Sequence, residues 1–327
     1  EEPGIFVDYR LYHPRLAEDF MARGGHLVVS PVGAEDLEHL ARRHDLVVVA
    51  TGRSGLSSLF PRIPELSPFT SPQRLLFAGL ARGISFPRPT GMYYSVSPGQ
   101  GEIFESQMLT RHGPVTSFLI EAFPGGALEP LATRKYEEDP RGFDAMLLEL
   151  LREHAPETFF RANPAEFGIL GPLDLLQGGV TPVVRRGYAA LGEGRFVVAL
   201  GDAHVTNDPL GGQGANAASG AAFSLAEVIL EAVVGGFPFD EDFCRRAEEH
   251  TWAETRPSTE WTNAMLQPVP PSHLFDVLVT ASGDPNFADV AVNTLFRPEL
   301  ALETFATSAS TAAFIARHSA RARAATS

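Results

Sequence analysis

Residues Gly201–Asn216 read GDAHVTNDPLGGQGAN. The stretch follows RFVVALGD at Arg195–Asp202, an apolar run that reads as a buried strand, and it opens a small-residue-rich helix over Gly214–Val234. A carboxylate at the carboxyl end of such a strand, here Asp202, sits where α/β proteins bind ligands, and it can accept hydrogen bonds from a sugar or polyol chain. Pro209, Gly211, Gly212 and Gly214 allow a tight turn and close backbone approach to a ligand. The helix beginning near Gly214 then directs free N–H groups and a partial positive charge at an anionic group or ring. Gly212-x-Gly214-x-x-Ala217 comes close to a dinucleotide fingerprint, but that pattern sits directly after its strand, and here Ala203–Gly211 intervene. A pyrophosphate site and a purely structural glycine-rich connection are both compatible with the spacing alone.

Other residues could carry chemistry. Thr51-Gly52 ends a second apolar run, where a glycine serves either close approach to a cofactor or a tight turn. Gly52-Arg53-Ser54-Gly55-Leu56 is one glycine short of a nucleophile elbow, and no base and acid accompany it, which argues against a serine hydrolase. His204 and Asp208 are four apart but in a loop, which argues against a metal pair, and no metal is expected. His204 reads as a loop or substrate-side residue. Tyr93, Tyr94 and Phe104 read as sheet core rather than a substrate cage. No side chain stands out as a catalytic acid, base or nucleophile.

These residues need elements to hold them. Val7–Ala22 has rough helical periodicity at Leu11, Leu16, Phe20 and Met21 and stops at Gly24-Gly25. His26–Ser30 (HLVVS) reads as a short strand, Ala34–His44 as a charged helix with Leu37 and Leu40 inward, and Asp45–Gly52 as a parallel strand buried on both sides. Residues 74–120 carry short aromatic runs punctuated by Gly and Pro, the pattern of an antiparallel sheet. Pro140–His154 is an amphipathic helix with Phe143, Met146, Leu147, Leu150 and Leu151 on one face, and another β-like stretch runs to Val184. After Phe237 the chain reads as helical, broken at Pro268, Pro270 and Pro271, with a frayed end at Ser319–Ser327. The organisation is an α/β module interrupted by a β-rich one and closed by helices.

Composition narrows the function. With 327 residues the chain is long enough for two domains and a large core. Lys+Arg 26 against Asp+Glu 40 gives a net charge of −14, a surface that repels phosphate backbones and anionic lipid. Nucleic acid and membrane are therefore not expected as partners. No apolar run is read as membrane-spanning and no signal peptide is visible. The single cysteine, Cys244, excludes an internal disulfide framework and fits a reducing, cytoplasmic setting.

The order GD, then Pro-x-x-Gly-Gln-Gly-Ala-Asn, then a small-residue helix resembles the flavin end of class A-type flavoprotein monooxygenases. VDYRLYHPRL at Val7–Leu16, DLVVVATGRSG at Asp45–Gly55, LDLLQGGVTP at Leu173–Pro182, GDAHVTNDPLGGQGANAAS at Gly201–Ser219 and TRPSTEWTN at Thr255–Asn263 together resemble the oxygenase component of styrene monooxygenase. The similarity runs in the same order along nearly the whole chain. It implies an α/β FAD-binding domain with an inserted antiparallel-sheet substrate domain and C-terminal helices. The expected boundaries are 1–70 and 187–265 for the two parts of the FAD-binding domain, 71–186 for the substrate domain and 266–327 for the helical end. Family members open with a strand and a GxGxxG turn for the ADP half of FAD. No such opening stands here, so the expectation is an N-terminally incomplete domain, short by roughly 30 residues or more, that holds the flavin-ring half of the site and holds FAD poorly.

By the same resemblance FAD is the cofactor. Asp202 contacts its ribityl chain, and Gly212, Gln213, Gly214, Ala215 and Asn216 face the pyrimidine edge of its ring. Arg10, Thr51, Gly52, Pro209 and Gly211 complete the cofactor set, Arg10 being equally readable as a surface arginine. Pro209 and Leu210 place apolar surface beside the flavin edge, on the substrate side, against the inserted sheet. The implied reaction is epoxidation of styrene-like aromatic alkenes by O2 through a flavin C4a-hydroperoxide, with indole and sulfides as further acceptors. The partner is a separate NADH-dependent flavin reductase, and a homodimer is an open alternative to a monomer. A single-component hydroxylase, a flavin-dependent halogenase and a non-catalytic flavin- or partner-binding module remain as other readings.

Overall fold

The structure, a computed structural model, describes residues 6–53, 55–86, 91–266 and 271–319. Ser54, Pro268, Pro270 and the tail from residue 320 lie outside the described residues. In chain order the strands are β1 (Phe6–Val7), β2 (Val47–Val49), β3 (Leu75–Arg82), β4 (Tyr93–Ser97), β5 (Gly101–Thr110), β6 (Gly113–Ala122), β7 (Gly168–Ile169), β8 (Leu175–Gly179), β9 (Val183–Val184), β10 (Tyr188–Gly192), β11 (Arg195–Ala199) and β12 (Val205–Thr206). The helices are α1 (Tyr9–Ala22), α2 (Ala34–Arg43), α3 (Pro130–Thr133), α4 (Pro140–His154), α5 (Pro156–Phe160), α6 (Gly214–Gly235), α7 (Glu241–Met265), α8 (Ser272–Gly283), α9 (Pro285–Leu295), α10 (Pro298–Phe305) and α11 (Ser308–His318). The chain divides into two units, Glu1–Pro31 with Pro72–Val180 and Val32–Ser71 with Thr181–Ser327.

The first unit is built on a largely antiparallel sheet in the order β1-β5-β6-β3-β7, with β4 added to β5 and β8 to β3. Strand alternation sends Phe77, Ile103, Phe118 and Ile120 to one face, where they pack on Phe143, Leu147 and Leu151 of α4. Those three helix residues recur every four positions and are fully buried, each worth about 1.5–3 kcal/mol of apolar burial. Asp139 caps α4 by accepting from the Gly142 N–H at 3.0 Å, and Pro140 occupies the first turn, where its missing N–H is harmless. On the same unit Arg74, 1% exposed, forms a two-pronged ion pair with Glu102 (3.0 and 3.2 Å), its guanidinium lying 3.9 Å over the Phe123 ring.

Three readings change here. Tyr94 and Phe104 stack at 4.6 Å on the sheet face away from α4, and Tyr94 is 42% exposed, so this pair is not core. His26–Ser30 forms no strand: no described strand pairs with it, and Val28 and Val29 stand in solvent. Residues 6–31 group with this sheet rather than with the segment up to 70, because β1 pairs in parallel with β5 and leads directly into α1. Helix α1 spans the periodic segment but buries no residue; Leu16, Phe20 and Met21 are all exposed.

The second unit holds a three-stranded sheet, β10-β11-β2, in which β10 and β11 are antiparallel and β11 and β2 parallel. One face packs Val49, Val197 and Ala199 on Leu37 of α2, and the other packs Val198 on Leu225 and Val228 of α6 and Phe243 of α7. This is an α/β layering. Strand β2 is shorter and less buried than its β-branched run suggests, since it is an edge strand and Val48 remains exposed. Helix α6 buries Ala217, Ala221, Leu225, Val228 and Ala232, leaving Phe223, Leu230 and Val234 outside. Among the described residues it is the one helix long and apolar enough, by length and composition, to cross a membrane. That revises the reading that no run approaches such length, because the apolar character comes from interspersed Ala and Gly rather than a solid aliphatic block. Along α7 the hydroxyls of Thr251, Thr255 and Thr259 each donate to the carbonyl four residues earlier (2.8–3.1 Å). Helices α8–α11 close around Trp261, Phe287 and Phe305. Cys244 is fully buried in the α6–α7 core.

Candidate active site at the strand ends

Parallel pairing brings two strand ends together. Val49 of β2 lies opposite Ala199 of β11, and the Leu200 N–H donates to the Val49 carbonyl at 2.9 Å. Ala50–Gly52 and Leu200–Asp202 therefore leave the sheet side by side at its carboxyl edge, the edge where open α/β sheets bind ligands. Gly52 and Gly201 both adopt left-handed backbone (φ 67° and 61°), which a side chain would strain. A Cβ at Gly52 would meet no atom within 4 Å, so that strand end opens on free space.

Asp202 lies in a 3-10 turn, Gly201–Ala203, on which the first turns of α6 pack. Burial pushes its carboxyl above the usual carboxylate range, and the guanidinium groups of Arg53 and Arg185 pull it back. Arg185 is itself shifted down, chiefly by burial and then by Arg62. Its Nη1 is buried and has no hydrogen-bond partner among the described residues. Arg62, bridged to Arg185 in the backbone, donates instead to the carbonyls of Ser67 and Phe69 (2.5 and 2.6 Å). Neither Arg53 nor Arg185 stood out in the sequence. The signal was the Arg185-Arg186 pair after a valine run, which a single sequence cannot separate from an ordinary surface pair.

His204 lies in the turn between Gly201–Ala203 and β12, as a loop residue, but it is packed inside rather than open to a ligand. It is 3% exposed, and its Nδ1 makes a long 3.4 Å contact with the Thr251 hydroxyl of α7. Burial pushes its imidazole down to about 4, so it is neutral at pH 7. Asp208 is fully buried and builds the next turn: its Oδ1 accepts from the Leu210 N–H at 3.0 Å. The Pro209–Gly211 turn closes with the Gly212 N–H donating to the Pro209 carbonyl (2.7 Å), Gly212 being left-handed at φ 61°. Gly211 is fixed by packing. A Cβ there would lie 2.6 Å from the Thr262 hydroxyl on α7, a contact absent from any motif.

Helix α6 starts at Gly214 with no side-chain cap and no acidic residue in its first turn. The first helical acceptor is the Gln213 carbonyl, which receives the Ala217 N–H, so the N–H groups of Gly214, Ala215 and Asn216 project from the helix end. Positions 212 and 214 have open space where a Cβ would stand. Thr51, Gly52, Asp202 and Pro209–Asn216 thus all belong to the second unit. Arg10 belongs to the first, where its guanidinium bonds Asp8 (2.6–3.0 Å), Asp174 (2.7 Å) and the Leu173 carbonyl (3.2 Å). The Arg10 side chain in turn holds the Asp8 carboxyl below its ordinary value.

Residues 52–161 match the family described as "Styrene monooxygenase A putative substrate binding domain". The chain is 43% identical over 276 residues to styrene monooxygenase StyA of Pseudomonas fluorescens, covering 83% of this chain and 66% of that protein. A second StyA, from Pseudomonas sp, matches with the same identity and coverage. The chain belongs to the styrene monooxygenase family. It spans about two thirds of the length of these curated relatives. Among solved structures, the flavin-dependent halogenase CmlS superposes with a TM-score of 0.54 at 16% identity, covering 79% of this chain and 45% of that one. That likeness concerns the fold, an α/β architecture carrying an inserted antiparallel sheet.

Proposed function

We propose that this chain serves as the oxygenase of a two-component, FAD-dependent monooxygenase that epoxidises styrene-like aromatic alkenes, with indole and sulfides as further acceptors. The observation that carries the proposal is the 43% identity over 276 residues to the two Pseudomonas styrene monooxygenases. The strand-end site supports it. Gly52, Gly212 and Gly214 leave room that any Cβ would narrow, the end of α6 offers free N–H groups, and Asp202 supplies an acceptor. These features suit the ring and polyol portions of a flavin. When bound there, FAD would supply the activation of O2.

The protein's part is to hold and to exclude. Asp202 accepts hydrogen bonds from the ribityl hydroxyls, aided by Arg53 and Arg185, which favour its ionised form. The N–H groups of Gly214–Asn216 face the pyrimidine edge, where the helix end favours negative charge. Thr51 and Gly52 close the site from β2. Pro209 and Leu210 present apolar surface on the substrate side and keep water out. Reduced FAD would come from a separate NADH-dependent flavin reductase, and a reducing cytoplasmic setting accords with a lone buried thiol at Cys244.

The test supplies chemically reduced FAD, O2 and styrene in a single turnover and quantifies epoxide and hydrogen peroxide together. Epoxide is expected, with no NADH consumed unless a reductase is added; NADH oxidation by the protein alone would overturn the two-component reading. Asp202→Ala should weaken FAD binding by about 1.5–3 kcal/mol, the worth of a charge-assisted hydrogen bond, in a fluorescence titration. Unchanged affinity would remove Asp202 from the site.

A further inference from the structure

Helix α7 packs against the Pro209–Gly211 turn, and its threonine hydroxyls behave in two ways. Thr251, Thr255 and Thr259 each donate to a carbonyl of their own helix, at 2.8, 3.0 and 3.1 Å. That is the usual way for a threonine inside a helix to satisfy a buried hydroxyl. Thr262, the next threonine along, is fully buried, and its Oγ1 has no hydrogen-bond partner among the described residues. A buried hydroxyl left unbonded costs stability. The bond to the carbonyl four residues earlier is open to a helical threonine, so something else turns this hydroxyl away from it.

The turn supplies the cause. The Thr262 Oγ1 lies 2.6 Å from where a Cβ on Gly211 would stand, with the Met265 Cε at 3.6 Å and the Thr262 Cβ at 3.7 Å. An oxygen and a methyl branch from the Thr262 Cβ, and the smaller of the two meets the turn. Contact this close leaves no room for a methyl from either side. The opposite side of the turn is open: a Cβ at Gly212 or Gly214 would meet nothing within 4 Å. Thickening the contact between Thr262 and Gly211 therefore pushes the turn into the space given to the flavin ring.

We propose that Thr262 is a positioning residue of the flavin site, its hydroxyl setting through Gly211 how far the Pro209–Gly212 turn stands from the ring. The proposal rests on the flavin reading of that turn.

Two substitutions separate a side chain that sets a distance from one that fills space. Valine keeps the shape of threonine but puts a methyl where the hydroxyl stood, and its χ1 is stiff in a helix. Serine keeps the hydroxyl and leaves a methyl-sized gap. A space-filling role tolerates valine and suffers from serine, and a positioning role does the reverse.

The test titrates FAD by fluorescence into the chain Glu1–Ser327 and its variants, and follows hydrogen exchange over Asp208–Asn216 without FAD. Thr262→Val should weaken FAD binding about 10-fold, the scale of an overpacked contact, and Thr262→Ser should stay within about 3-fold of the parent. Exchange of the turn, where the Gly212 N–H donates to the Pro209 carbonyl at 2.7 Å, should speed up in Thr262→Val and not in Thr262→Ser. Gly211→Ala should match Thr262→Val. Adding Thr262→Ala to Gly211→Ala removes the oxygen that the new methyl meets and should recover most of the loss. Valine as mild as serine, serine as harmful as valine, or no recovery in the double variant would each overturn the proposal. A parent chain that binds no FAD would sink the flavin reading instead, and the ranking of valine against serine in exchange would still decide whether Thr262 sets the turn.

Discussion

Arg10 and Arg74 in the first unit and Arg185 in the second are all arginines set near carboxylates, yet they are built differently. Arg10 is bonded by Asp8, Asp174 and a carbonyl, and Arg74 by both oxygens of Glu102 with an aromatic ring beneath. Arg185 approaches Asp202 without an ion pair and keeps a buried Nη1 with no hydrogen bond among the described residues. A guanidinium has five N–H donors in a fixed fork, and a protein that uses it as a fastener satisfies most of them. Arg185, near the carboxyl ends of β11 and β2, is left incomplete. The contrast separates fastened charge from unfastened charge without reference to any motif.

The largest effect expected from this contrast is at Arg74. Arg74→Met strands the Glu102 carboxylate in the sheet and should destabilise the protein by about 3–5 kcal/mol in chemical denaturation. A loss under 1 kcal/mol would mean that Glu102 has other support and that the fastener reading fails.

A smaller effect, of the order of 3 kcal/mol, is expected from pH acting on His204. Its folded value of about 4 lies below the ordinary 6.5, so between the two the unfolded chain takes up a proton that the folded chain refuses. This contribution is complete above about pH 6.5 and is lost as pH falls through 4. Asp202, raised by burial, works in the opposite sense, so the informative quantity is the difference between the parent and His204→Gln across that window. The variant should flatten the slope, and parallel curves would show that His204 is solvated.

The smallest effect is at Arg185. Removing a cation that has no bonded partner should leave stability within about 0.5 kcal/mol in Arg185→Met, as for substitutions away from a network. A loss above 2 kcal/mol would erase the difference between the two classes of arginine.

Much of this arrangement was legible in the residues. The apolar spacing of Phe143, Leu147 and Leu151 marked α4, and the GD-to-GQGAN stretch marked a strand, a turn and a helix end whose parts the fold does set in series. What escaped the sequence depended on partners far along the chain. His26–Ser30 has the residue types of a strand but no described neighbour to pair with, and pairing, not propensity, makes a strand. His204 read as accessible because nothing local shows that Thr251, 47 positions later, covers it. Arg185 and Thr262 act on Asp202 and Gly211 through tertiary approach alone.

Cys244 offers a practical consequence. It is the only thiol in the chain, it is fully buried where α6 and α7 meet, and burial with Asp240 and Glu241 nearby pushes it up to about 12. Only the thiolate reacts with alkylating or disulfide reagents. At neutral pH the native protein should therefore resist labelling, and each labelled molecule will have passed through an opening of the α6–α7 core. Labelling kinetics then give a clock for that opening in the unaltered sequence, and a ligand that holds the start of α6 in place should slow it.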